Sequence, residues 1–67
     1  MITGFIQLTD KNGKKAWANI DYIKAVIPHE NHTSIIFEFA DSNGDRVALE
    51  ATESVEEIME RIAEALV

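Results

Sequence analysis

His29 and His32, with Glu30 between them, are the residues of this chain closest to a metal-binding arrangement. Their spacing is H-E-N-H, one residue short of the H-E-x-x-H pattern that sets two imidazoles on one helical face with a glutamate beside them. Pro28 precedes them and no further ligand cluster is visible, so the segment reads as a solvated polar loop and not as a zinc site. Asp41-Ser42-Asn43-Gly44-Asp45 has some of the character of a calcium loop. Its glycine falls at the fourth position and Thr52 at the twelfth, where a closing glutamate is needed. Strand-like segments flank it, so it is a turn.

Covalent catalysis would require a cysteine, or a serine or threonine beside a base. The chain has no cysteine, and Ser34, two residues after His32, lies on a strand-like segment where proximity in sequence does not aim one side chain at the other. Its three glycines are scattered and form no phosphate-binding loop. Most of the eight glutamates fall in the C-terminal third, where a charge run is normally a solvated face. The sequence thus offers no catalytic, cofactor-binding or metal-ligating residue, and the expectation is a chain that is not an enzyme and takes no small-molecule substrate.

The aromatic residues carry more information. Trp17 stands between Ala16 and Ala18 in a strand-like run. If the alanines face inward, the indole faces water, where tryptophan is a common interface anchor. In the opposing reading Trp17 packs over the core or the helix end. Tyr22 and Ile36 add to an apolar content that slightly exceeds what a one-faced sheet can hide. Trp17, Tyr22 and Ile36 are therefore the candidate interface residues.

The elements that position them follow from periodicity. Phe5–Thr9 alternates with Ile6 and Leu8 on one face. Asp10-Lys11-Asn12-Gly13-Lys14 follows, and its Asn-Gly pair predicts a type I′ hairpin. Residues 15–20 return as a second strand, and Asn19 and Asp21 mark a turn or a single helical loop before Ile23–Pro28. Pro28 has no amide proton, so this third strand stops there or lies on an edge. Thr33–Ala40 is the most strand-like stretch, rich in β-branched and aromatic residues. A second Asn-Gly turn at 41–45 leads into Arg46–Ala51, with Val47, Leu49 and Ala51 inward.

Ser54 and Glu57 form a capping box, and Glu53, Glu56 and Glu57 suit the positive end of a helix dipole. Val55, Ile58, Met59, Ile62 and Leu66 fall at spacings of three and four and make one apolar stripe. Glu57 and Arg61 are placed to pair on the outer face. The expected fold is α+β, one domain over residues 1–67: an antiparallel sheet of four to five strands, open or partly closed into a small barrel, with one C-terminal amphipathic helix in the order β-β-β-β-β-α.

A chain of 67 residues buries a modest core. Domains of this size are commonly reinforced by disulfides, a metal or a partner subunit. With no cysteine and no ligand cluster, self-association is the leading route, so a homo-oligomer is expected. No apolar run is long enough to cross a membrane. The N-terminal residues lack the pattern of a secretory signal. The expected compartment is the cytoplasm of a bacterium, or of the host of a phage or mobile element.

The net charge of −6 is unevenly placed: residues 1–28 carry +2 and residues 29–67 carry −8. An acidic chain repels phosphate backbones, which disfavours nucleic acid as a partner. The alternative is a small-barrel nucleic-acid binder using the Lys11–Lys15 hairpin tip and stacking on Trp17.

The succession Ile6-Gln7-Leu8-Thr9, Asn12-Gly13-Lys14-Lys15, Asn19-Ile20-Asp21-Tyr22-Ile23 and Glu53-Ser54-Val55-Glu56-Glu57-Ile58 resembles the FlbD/SwrD-type small flagellar and swarming-motility proteins. That family implies an opening strand, an Asn-Gly hairpin, a short turn after an asparagine and a terminal E-S-V-E-E helix. It brings no catalytic residues. Its implication is a non-catalytic interaction or regulatory module whose partner is a flagellar or regulatory protein. The chain departs from the pattern in a longer 28–40 stretch, in the turn at 41–45 and in an acidic helix tail.

Overall fold

A computed structural model describes residues 4–66 of the chain. The element order is β1 (Phe5–Thr9), β2 (Lys15–Asn19), a 3-10 turn (Ile20–Tyr22), β3 (Ile23–Pro28), β4 (Thr33–Ala40), β5 (Arg46–Ala51) and α1 (Val55–Ala65). The fold is α+β with every strand pair antiparallel.

The strands form two sheets, one of β1 and β2 and one in the order β3-β4-β5, where one sheet was expected. A single bridge between Asp10 and Ala51 joins them, backed by the Thr52 N–H donating to Thr9 O at 2.9 Å. The break has a local cause. After Thr9 the chain turns at once into its hairpin, so β1 has only its last residues to offer β5.

The hairpin turns differ from the type I′ geometry that Asn-Gly predicts. Gly13 and Gly44 have φ of +82°, but no other residue type has positive φ among the described residues. Asn12 and Asn43 therefore cannot take the first position of a type I′ turn. The Gly13 N–H donates to Asp10 O and the Gly44 N–H to Asp41 O, both at 3.0 Å, which is a type I turn followed by a left-handed glycine. The aspartates select it. Asp10 Oδ1 accepts from the Asn12 and Lys14 N–H groups, and Asp41 Oδ1 accepts from those of Asn43 and Asp45. Each carboxylate thus holds a five-residue loop that a two-residue turn would have left unused.

The core gathers Ile6, Leu8, Ala18, Ile35, Phe37, Ala51 and Ile58. On β1 the buried residues are Ile6 and Leu8, as strict alternation requires. Val47 and Leu49 of β5 pack on the cluster half-buried, with Ala51 fully enclosed.

The helix begins at Ser54, whose hydroxyl accepts from the Glu57 N–H while Glu57 Oε1 accepts from the Ser54 N–H, each at 3.2 Å. Ile58 is its fully buried residue, with Ile62 and Ala65 packed at the margin. Met59 and Leu66, placed in the apolar stripe by spacing, are exposed. An eleven-residue helix lying across so narrow a body covers only the centre of that stripe.

Candidate interaction surface

The register of the first hairpin fixes where Trp17 points. Ile6 lies opposite Ala18 and Leu8 opposite Ala16, so both alanines face the core side. Gln7 lies opposite Trp17, and that pair faces outward. The indole is 58% exposed. On its other side the indole borders a second groove with Phe5, Gln7 and the helix residues Arg61, Glu64 and Ala65, so it lies near the helix end while remaining largely in water.

Two alanines facing the interior leave space that larger residues would fill. A groove of about 330 Å³ opens there, lined by residues of β2, β4 and β5 and by Tyr22. Its walls include Phe37, Phe39, Val47 and Leu49, with Trp17 at its rim. Tyr22 is 50% exposed and Phe39 49%. Tyr22 meets Phe39 edge-on at 5.9 Å between ring centroids, and Phe39 stacks on Phe37 at 5.5 Å. Edge-on and offset aromatic pairs are favourable geometries, and they tie the exposed rings to the buried Phe37.

Tyr22 is held by the 3-10 turn. Asn19 Oδ1 accepts from the Asp21 N–H at 2.9 Å, closing the turn that the Asn/Asp pair predicts. The structure thus brings Trp17 and Tyr22 to one groove. Ile36 is elsewhere: it lies on the opposite face of β4 from Ile35 and Phe37, half-buried and cross-strand to Ala25 and Ala48. Phe39 was missed by the sequence reading. Its signal was the inward alternation Ile35, Phe37, Phe39, which leads the third ring past the end of the core.

In the Lys11–Lys15 tip one lysine has an acidic neighbour and another a hydroxyl. Lys11 Nζ lies 3.7 Å from Glu50 Oε2, and Lys15 Nζ donates to Thr9 Oγ1 at 3.2 Å. His29 and His32 stack with centroids 4.6 Å apart, across a turn closed by the His29 N–H donating to His32 O. They border a polar hollow with Thr52, Ser54 and Glu57 and do not line the aromatic groove. No group of three or more metal-ligating side chains occurs among the described residues. No helix among the described residues is long and apolar enough to cross a membrane.

Glu53, placed by sequence where a helix dipole favours negative charge, has a further role. It is only 7% exposed. One carboxylate oxygen accepts from the Thr9 N–H at 2.9 Å and the other from Arg61 Nη1 at 2.8 Å. The same Arg61 nitrogen donates to Gln7 O, and Thr33 Oγ1 donates to Glu53 O at 2.7 Å. Burial alone would push Glu53 up, but the Thr9 N–H and the Arg61 guanidinium outweigh it and hold the carboxyl below the usual glutamate range. Arg61 therefore pairs with Glu53 and not with Glu57, because Glu57 is turned back to cap the helix. The clasp ties the helix to the outer edge of β1.

No family model, no curated protein and no solved structure matches this chain.

Proposed function

We propose that this chain is a non-catalytic protein-interaction module whose contact surface is the aromatic groove beside β2. One observation carries the reading: a largely solvated indole stands at the rim of an apolar groove that small residues leave open. Trp17, Tyr22 and Phe39 supply large, stiff apolar area, the composition that dominates binding energy at interfaces. In this reading the two sheets are a small barrel left open beside β2, and the groove is its opening.

The resemblance to small motility proteins supports a flagellar or regulatory partner acting in the cytoplasm, and the modest core supports self-association as the first mode. Nucleic acid is the weaker candidate, since Lys11 is drawn to Glu50 and the chain carries −6 overall.

The test is site-specific photo-crosslinking with benzoylphenylalanine at position 17 or 36, in the cell and with the purified chain. Adducts of defined mass from position 17 and none from position 36 are expected. Equal labelling from the two positions, or none from position 17, refutes the reading.

A further inference from the structure

A sheet that does not close leaves strand edges, and an unguarded edge is a template for another strand. Among the described residues three of its four edges carry a contact or a device that hinders pairing. The outer edge of β1 is taken by Thr52 at Thr9 O and by the Glu53–Arg61 clasp at the Thr9 N–H and Gln7 O. The outer edge of β5 is joined to Asp10 at its last residue, Ala51, and Lys11 reaches over to Glu50 beside it. On β3 the pairing register shifts between Ile23 and Ala25, Lys24 is exposed, and Pro28 removes an amide proton. Bulge, lysine and proline are devices that keep an edge from pairing.

The edge of β2 has neither bulge nor proline. Its pairing with β1 runs without a break over five residues, it contains no proline, and its one charge, Lys15, sits at the end. The hydrogen-bond parity can be followed from the turn. The Asp10 N–H donates to Lys14 O, so Asp10 faces β2, and so do Leu8 and Ile6 by alternation. Their partners Ala16 and Ala18 face back. Lys15, Trp17 and Asn19 therefore direct their N–H and C=O groups to the open side.

We propose that two copies of this chain associate through this edge, β2 pairing antiparallel with β2 of the second copy about a two-fold axis at Trp17. The proposal rests on the interaction reading above and names the partner. Charge favours the arrangement. Pairing centred on Trp17 sets Lys15 of one copy against Asn19 of the other, so no like charges oppose. All five residues pair, and the three with outward backbone groups fall opposite one another. Tryptophan meets tryptophan on the outer face, and such aromatic pairs add stability across strands. The helices are clasped to the other edge of each ribbon, and Glu64 borders the groove beside Trp17. A five-residue edge covers less than the roughly 800 Å² per partner of a standard interface, so association in the micromolar range is expected.

The experiment uses the unmodified chain first: solution mass from low micromolar to millimolar concentration, with residue-resolved amide exchange at both extremes. Doubling of mass with at least tenfold slower exchange at the Trp17 amide, and no change on β3, is expected. A mass that stays monomeric, or a dimer that protects β3 and leaves Trp17 exchanging freely, overturns the proposal. Because the chain has no native cysteine, disulfide trapping supplies the register. Lys15→Cys mixed with Asn19→Cys should crosslink, since opposed strand residues lie within disulfide reach. Lys15→Cys alone should not, and equal trapping in that sample overturns the proposed axis. Far-UV circular dichroism confirms that both variants fold. A monomer in which position 17 still crosslinks to a different protein ends this proposal and leaves the interaction reading intact.

Discussion

Replacing Glu53 is the sharpest test of what holds the helix to the sheets. Glu53→Ala leaves the Thr9 N–H without its acceptor beneath the helix, at a cost of about 1–3 kcal/mol for an unsatisfied buried donor. It also removes the partner of Arg61. That guanidinium is 39% exposed, so solvent screening limits the loss from the ion pair to about 1 kcal/mol. The total is about 2–4 kcal/mol, against a stability of roughly 3–10 kcal/mol for a chain of this length. For so small a domain this lowers Tm by roughly 10–30 °C. Glu53→Gln keeps an oxygen for Thr9 and should lose about half as much.

The pH dependence adds an independent readout. The folded-state pKa of Glu53 is depressed, so its contribution is present above the unfolded glutamate pKa and disappears as pH falls through the folded value. In the wild type, stability should fall on acidification through that window, and Glu53→Gln should flatten the fall. Guanidinium denaturation followed by circular dichroism is the suitable assay, because Trp17 is already largely solvated and its emission reports unfolding poorly. A Glu53→Ala variant within about 0.5 kcal/mol of the wild type, the ordinary scatter of surface substitutions, would falsify the clasp. So would a Glu53→Gln variant with unchanged acid sensitivity.

Further substitutions probe the other elements. Ile58→Ala removes the one fully buried side chain of the helix and should cost about 2–5 kcal/mol, read in the same denaturation assay. Gly13→Ala and Gly44→Ala should each cost about 1–2 kcal/mol from left-handed backbone alone, since nothing lies within 4 Å of the added Cβ. Asp10→Ala frees two backbone N–H groups at an exposed turn, and a loss of about 0.5–1 kcal/mol is expected in thermal melts. Ser54→Ala should lower helix content and cost about 1 kcal/mol, as the loss of an N-cap does.

The strands, the capping box and the short turn at Tyr22 were legible because each depends on neighbours in sequence. Alternation places Ile6 and Leu8 without knowledge of anything distant, and Ser54 needs only Glu57. The division into two sheets was not legible. It depends on how far β1 runs beside β5, a relation between residues more than forty positions apart. The further role of Glu53 was not legible for the same reason: glutamate before a helix is the ordinary dipole charge, and only the arrival of Thr9 and Arg61 makes it a buried acceptor. The candidate surface was half legible. Ala16 and Ala18 around Trp17 stated the condition for an exposed indole, and register with Ile6 and Leu8 met it. Ile36 was grouped with Trp17 by hydrophobicity, but strand parity sends it to the other side of β4.

The Glu53–Arg61 clasp has a consequence beyond stability. A molecule with one bare edge can only form pairs, because the first partner satisfies it. A molecule with two can add copies at both ends without limit. By lying along β1, the clasp withholds that edge from the pairing proposed for β2. Releasing it, by acid or by substitution, would bare the Thr9 N–H and Gln7 O and offer the proposed pair a second edge to extend from.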